Sequence, residues 1–169
     1  MTLPRPDKIV QMSALLALRA AYRRDGRRAV WTNGCFDLVH AGHVRSLKAA
    51  AALGDVLVVG LNSDDAVRRL KGRGRPILPE AERAELLAAF ECVDHVLVFP
   101  DDEPSAVLRE LQPDFHCKGA DYAPPHGRPL PERAVVEAYG GRVVFLPLAE
   151  GMSTTELLRR VRQIGEEGA

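Results

Sequence analysis

Half-cystine spacing, an apolar leader and a charge of one sign are all missing from this 169-residue chain. Its three cysteines are an odd number with no framework spacing, which excludes a disulfide scaffold and fits a reducing compartment. No apolar run approaches the roughly 20 residues that a membrane span needs. The first residues carry charges and prolines instead of a signal core, so a cytoplasmic protein is expected. The 23 basic residues balance the 23 acidic ones. That balance leaves no electrostatic case for nucleic acid or an anionic membrane as the main partner. Lysine is scarce as well. Of the basic residues only four are Lys, at positions 8, 48, 71 and 118, and 19 are Arg. Lys71 and Lys118 each precede a glycine, and a compact ammonium beside bare backbone suits phosphate contact. Both dipeptides are expected in loops.

What is present centres on His40-Ala41-Gly42-His43. Ala29 to Trp31 reads as the end of a buried strand, and Asn33-Gly34 as a turn whose residues tolerate positive φ. From Ala41 onward Val44, Leu47 and Leu53 recur at helical spacing. Both histidines therefore fall where a strand's loop enters a helix. A helix start offers unpaired N–H groups and the positive dipole end, which attract phosphate. The pattern is neither a Walker loop nor a G-x-G-x-x-G fingerprint.

Along the chain, helical spacing over 8–24, 41–53, 64–70, 80–90 (Leu86, Leu87 and Phe90 inward), 104–111, 132–139 and 153–164 alternates with strands at 30–33, 56–61, 95–99, 115–118 and 142–146. Such alternation predicts an α/β fold, a Rossmann-like parallel sheet of about five strands with helices on both faces. One domain over 1–169 is expected, with the helix of residues 1–28 packed on it. In such a sheet ligands bind beyond the carboxyl ends of the strands. Most of the singled-out residues follow strands: Gly34 to His43, Asn62-Ser63-Asp64, Lys118 to Tyr122 and Ser153-Thr154-Thr155. Tyr122 to Pro131, with four prolines, reads as an irregular surface loop.

Each motif has a plainer reading. The histidines could be capping or core residues, or, with Cys35, part of a metal site; zinc normally takes three or four protein ligands, and no C-x-x-C accompanies them. Cys35 could be a nucleophile near a helix start, but no cysteine-hydrolase signature surrounds it, so a packed small residue is favoured. Cys92 and Cys117 read as core fillers. Ser153 with Glu156 forms a capping-box pattern, which is compatible with an anion site. Arg73, Arg75 and Arg83 stand out only by their nearness to Lys71.

Taken together these residues resemble the cytidylyltransferase-like nucleotidyltransferases, most closely the heptose 1-phosphate adenylyltransferase branch. The likeness rests on Thr32-Asn33-Gly34-Cys35-Phe36-Asp37, His40-x-Gly-His43, Asn62-Ser-Asp64, Lys71-Gly with Arg75-Pro76, Arg83, Lys118-Gly-Ala-Asp121-Tyr122 and Gly151-Met-Ser153-Thr154-Thr155. The resemblance implies that ATP and a sugar 1-phosphate give an ADP-sugar and pyrophosphate by in-line attack on the α-phosphorus, with Mg²⁺ held on the triphosphate and no protein metal ligands. It implies His40, His43, Lys71 and Lys118 in catalysis. Asn33, Gly34, Phe36, Asp37, Asn62, Arg83, Asp121, Tyr122, Ser153, Thr154 and Thr155 would hold the nucleotide. An Arg-Thr pair precedes Gly-Ile-Ser-Thr in the glycerol-phosphate cytidylyltransferases, but Ala149-Glu150 stands there here, which weakens a CTP reading. The resemblance also allows a homodimer. With no room here for a fused kinase, it implies a separate sugar kinase and phosphatase in a pathway to a lipopolysaccharide or other glycan precursor.

Overall fold

The computed structural model describes residues 8–147 and 153–167. The elements run α1 (Met12–Arg24), β1 (Ala29–Gly34), α2 (Ala41–Ala51), β2 (Val56–Asn62), α3 (Asp64–Lys71), α4 (Glu80–Ala89), β3 (His95–Phe99), α5 (Ser105–Leu111), β4 (Phe115–Gly119), α6 (Arg133–Ala138), β5 (Arg142–Leu146) and α7 (Thr154–Glu167), with one 3-10 turn at Ala120–Tyr122. All five strands are parallel and ordered β3-β2-β1-β4-β5. Strands in such a sheet are covered on both faces, which explains their unbroken apolar runs; every residue of β2 is buried. Two cores result. One holds Val30, Val59, Leu61, Leu47, Ala84 and Leu87 beneath α2 and α4. The other holds Trp31, Val58, Leu15, Leu108 and Val136 beneath α1, α5 and α6. No helix among the described residues is long and apolar enough to cross a membrane.

Four local expectations need correction. Helix α1 starts at Met12, because Lys8 to Val10 runs extended along β3: Val96 N–H donates to the Lys8 carbonyl at 2.8 Å and Val10 N–H to the Val96 carbonyl at 2.9 Å. Leu86 points outward, 45% exposed, because the inward face of α4 is set by Arg83, Ala84 and Leu87. A residue one position before Leu87 lies about 100° round the helix from it. Lys118 lies in β4 rather than in a loop. Asn33 and Gly34 continue β1, and the positive φ falls on Phe36 instead, at 45°. The space at Gly34 is tight for a different reason: a Cβ there would lie 3.3 Å from the Phe36 ring.

Between β1 and β2, Gly60 pairs with Asn33 and leaves room for the ring of Trp31, whose side chain is fully buried. A Cβ at position 60 would sit 2.2 Å from Trp31 Cζ2. Gly60→Ala is expected to lower unfolding free energy by about 1–3 kcal/mol, the usual cost of overpacking a filled core. Urea denaturation followed by Trp31 fluorescence measures it.

Candidate active site

Winding from β1 through β2 to β3 fills one side of the sheet, and β4 and β5 fill the other. At the switch between β1 and β4 the strand ends diverge and leave a crevice. It holds a cavity of about 370 Å³. The loop after β1 contributes Cys35, Phe36 and Asp37, following Asn33 and Gly34 at the strand's end; α2 contributes His43, β2 Asn62 and α3 Leu70 and Lys71. From the other side come Lys118 of β4, Tyr122, Arg128 and the first turn of α7 with Thr154 and Thr155. Imidazole, both ammonium groups and the threonine hydroxyls thus border one space. Arg75 is part of this wall and also borders two larger hollows of about 560 and 500 Å³. Neither of those gathers the histidine and lysine groups.

The two histidines cap the start of α2; His43 lines the cavity, whereas His40 is not among its lining residues. His40 is the N-cap residue, not part of the helix, and its Nδ1 accepts from Gly42 N–H at 3.1 Å. His43 Nδ1 accepts from His40 N–H at 3.2 Å. The rings lie 3.9 Å apart, and the Phe36 ring packs on His43 at 5.3 Å. Since both Nδ1 atoms accept backbone N–H bonds, each neutral ring carries its proton on Nε2. Burial lowers the His40 pKa, and burial together with the neighbouring ring lowers His43 to about 4. At neutral pH the pair is therefore two uncharged Nε2–H donors.

Lys118 is steered from inside the protein. Its Nζ lies 3.3 Å from Glu132 Oε1, and the ammonium also sits 4.6 Å from the centre of the Tyr122 ring. Glu132, 2% exposed, accepts in turn from fully buried His116 Nε2 at 3.4 Å. Burial opposes ionisation of Glu132, but the His116 hydrogen bond and the Lys118 charge outweigh it and hold the carboxyl at about 2. Burial keeps His116 itself neutral.

Other expected residues lie behind the wall or beside it. Arg83 is fully buried and donates to the carbonyls of Cys35 (2.6 Å), Leu78 (3.0 Å) and Asn62 (3.0 Å) while pairing with Asp64 at 2.7 Å. It braces the crevice from beneath. Asp37, 2% exposed, accepts from the Ile77 and Leu78 amides at 2.7 and 3.2 Å and pairs with Arg75, so it ties the 72–79 loop to the β1 loop. Asn62 donates to the Asp101 carbonyl at 3.0 Å. Asp121 pairs with Arg128 at 3.3 Å and lies off the cavity wall. Ser153 caps α7, accepting from Glu156 N–H at 3.1 Å, but Glu156 turns to Arg159 and Arg160 instead of closing a capping box. Gly151 and Met152, like Ala149-Glu150, lie outside the described residues. Cys35 borders the cavity with its thiol pushed up by burial against the pull of Lys71 and Arg83, so it remains a thiol. Sequence reasoning missed Arg128, Asp102 and Glu132. Arg128 stacks on the Tyr122 ring at 4.7 Å. An isolated Glu after prolines carried no local signal.

A donor-rich crevice at the switch point of a parallel sheet in this order defines an α/β domain built to receive a phosphorylated nucleotide. A family model described as cytidylyltransferase-like matches residues 31–160, and the chain belongs to that family, as a nucleotidyltransferase. The bifunctional protein HldE of Geotalea uraniireducens is 49% identical over 155 residues, which cover 92% of this chain and 31% of that protein. HldE of Streptomyces coelicolor is 50% identical over 147 residues, 87% of this chain and 31% of that protein. The chain thus spans 31% of the length of these curated relatives. Among solved structures, a lipopolysaccharide core biosynthesis protein from Thermoplasma volcanium superposes with a TM-score of 0.59 at 26% identity, covering 73% of this chain and 98% of that one. A pantoate-beta-alanine ligase from Francisella tularensis shares the fold, with a TM-score of 0.56 at 14% identity, 91% of this chain and 76% of that one.

Two measurements check the electrostatics. An NMR titration of the His43 ring is expected to give a midpoint near 4. That value lies below the ordinary 6.5, so His43 favours the folded state fully above 6.5, and this contribution is lost as pH falls from 6.5 through about 4. Glu132→Gln strands the charge of Lys118 and is expected to cost about 3–5 kcal/mol of stability. The Lys118→Met, Glu132→Gln double variant should cost less than the sum of the single changes in a denaturation cycle.

Proposed function

We propose that this chain transfers the adenylyl group of ATP to a heptose 1-phosphate, giving an ADP-heptose and pyrophosphate. The observation that carries the reading is the meeting of His43, Lys71, Lys118, Thr154 and Thr155 on one cavity wall. The branch-specific residues named above and the identity to the HldE proteins support the heptose. An oxygen of the sugar phosphate bonds to the α-phosphorus as the bond from that phosphorus to the bridging oxygen of the β-phosphate breaks, and the electron pair leaves with pyrophosphate. The attacking phosphate is already ionised at neutral pH, so no residue need serve as general base. The protein's contribution is position and charge stabilisation.

In this reading the Nε2–H groups of His40 and His43 donate to the phosphate oxygens on which charge builds. As neutral donors they add hydrogen bonds without first having to gain a proton. Lys71 and Lys118 neutralise oxygens of donor and acceptor from opposite walls. Thr154 and Thr155, with Ser153, hold the outer phosphates at the start of α7, where the helix dipole favours negative charge. Asn33, Gly34, Phe36, Asp37, Asn62, Asp121 and Tyr122 shape or border the nucleoside end, and Arg83 acts from beneath them. Among the described residues no group of three His, Cys, Asp or Glu is placed to cage a metal ion. The donor set suits phosphate and the wall carboxylate of Asp102 is paired with Arg69 at 2.7 Å, so Mg²⁺ would be carried on the triphosphate. When bound, it supplies charge neutralisation to the phosphates. A homodimer belongs to the same reading.

Pyrophosphate release over a matrix of ATP, CTP and GTP against heptose 1-phosphate and glycerol phosphate tests the proposal. ATP with the heptose 1-phosphate should turn over fastest, and a preference for CTP would replace the reading with a cytidylyltransferase. His43→Ala is expected to lose about 2–4 kcal/mol of transition-state stabilisation, the scale of one charge-stabilising donor. Near wild-type turnover in that variant would remove His43 from the reaction.

A further inference from the structure

Adenylyl transfer fixes directions as well as contacts. In-line displacement sets the attacking oxygen and the departing pyrophosphate on opposite sides of the α-phosphorus. In the reading above, the outer phosphates rest at the start of α7, which follows β5 at one edge of the sheet. The acceptor then extends the other way, from β1 past β2 toward β3. Neighbouring strands lie about 4.8 Å apart, so the loop after β3 is reached about 10 Å beyond β1. At that far end the cavity wall is made by Leu70 of α3 and Asp102 of the loop after β3.

The wall changes character there. Two carboxylates line the cavity, Asp37 and Asp102. Asp37 is buried and committed to Arg75 and to the Ile77 and Leu78 amides. Asp102 is half-exposed. A carboxylate repels phosphate, so a pocket for phosphates alone has no use for one. Asp102 is also held in place. Arg69 Nε donates to its Oδ1 at 2.7 Å, and Arg69 Nη2 donates to the Pro100 carbonyl at 2.6 Å, so one guanidinium grips the loop at two points. Asn62 Nδ2 holds the Asp101 carbonyl between them at 3.0 Å. Arg69 offsets the negative charge, which lessens repulsion of an incoming phosphate. The Asp102 side chain makes no other hydrogen bond among the described residues, which leaves acceptor capacity on Oδ2. An ionised carboxylate only accepts, and its bonds from hydroxyls are strong. Leu70, next to Arg69, is 45% exposed, an uncovered apolar side chain against which the C–H face of a sugar ring can lie.

We propose that Asp102 selects the acceptor, its carboxylate accepting hydrogen bonds from hydroxyls of the sugar ring while Leu70 lies against the ring's C–H face. The assignment rests on the adenylyl-transfer reading and adds to it the residue that recognises a polyhydroxylated acceptor. Pyrophosphate release with ATP and heptose 1-phosphate, in the unmodified protein and in Asp102→Ala, tests it. The variant should lower kcat/KM for the heptose 1-phosphate about 10- to 100-fold, the range for a hydrogen bond to a charged group, and leave the KM for ATP unchanged. Asp102→Asn, which keeps the side chain's shape, should lower it in the same direction by less. Acceptors lacking one ring hydroxyl apiece separate contact from a structural effect. The unmodified protein should use at least one of them about tenfold less well than the parent sugar phosphate, the lower end of the same range. That penalty should vanish in Asp102→Ala, where the hydroxyl's partner is already gone. Unchanged kcat/KM for heptose 1-phosphate in Asp102→Ala, a raised KM for ATP alone, or deoxy penalties that persist in the variant for every acceptor would overturn the assignment and leave the reaction standing. Failure of the unmodified protein to form ADP-heptose would overturn the adenylyl-transfer reading itself, and the assignment with it.

Discussion

Arg83 is a fully buried guanidinium whose hydrogen bonds join four separate pieces of chain. It holds the carbonyl of Cys35 from the β1 loop, that of Asn62 from the end of β2, that of Leu78 from the basic loop, and the carboxylate of Asp64 at the start of α3. Each of these pieces carries a neighbour that lines the nucleotide cavity. A buried charge survives only when its hydrogen bonds are satisfied, so the four pieces are held in one arrangement or the guanidinium is exposed to a large penalty. Asp37 repeats the device one layer out, binding the Ile77 and Leu78 amides and Arg75. The floor of the site is thus polar and internally hydrogen-bonded, and it gives the wall residues a fixed base.

On that base the local chemistry of a helix start and the chemistry of phosphate recognition coincide. The backbone N–H bonds that cap α2 occupy both Nδ1 atoms and leave both Nε2–H groups as donors. Capping takes one nitrogen of each ring and leaves the opposite one for the proposed contact to phosphate, so the two readings, which look like rivals in the sequence, do not compete. Lys118 has a similar double attachment: Glu132 draws its ammonium from behind while the Tyr122 ring flanks it. A long flexible side chain is thereby given one position before any ligand arrives, which lowers the entropy cost of binding.

The fold was legible because its signals are local and repeated. Continuous apolar runs such as Val56 to Leu61 and helical spacing such as that of Leu47 with Ala50 recur often enough that single errors do not change the architecture. Errors fell where tertiary contact overrode a local cue. Lys8 to Val10 has apolar spacing like a helix but pairs with Val96, because the edge of β3 offers unused backbone groups. Leu86 looks like core and faces outward, because Arg83 takes the inward stripe of α4. Arg83 in turn looked like a surface cation near Lys71, and only its depth shows it to be a brace.

The sequence by itself determined the parallel α/β layering and the placement of His40-x-Gly-His43 where a strand's loop enters a helix. These follow from periodicity and from side-chain type, which are properties of neighbours along the chain. Tertiary structure alone decided which charges are spent on each other. Arg75 on Asp37, Arg83 on Asp64 and Lys118 on Glu132 are pairs 38, 19 and 14 residues apart, beyond the reach of any local pattern. The reason is physical: a charge's role depends on its burial and its partners, and both are set by segments that meet only when the sheet has formed.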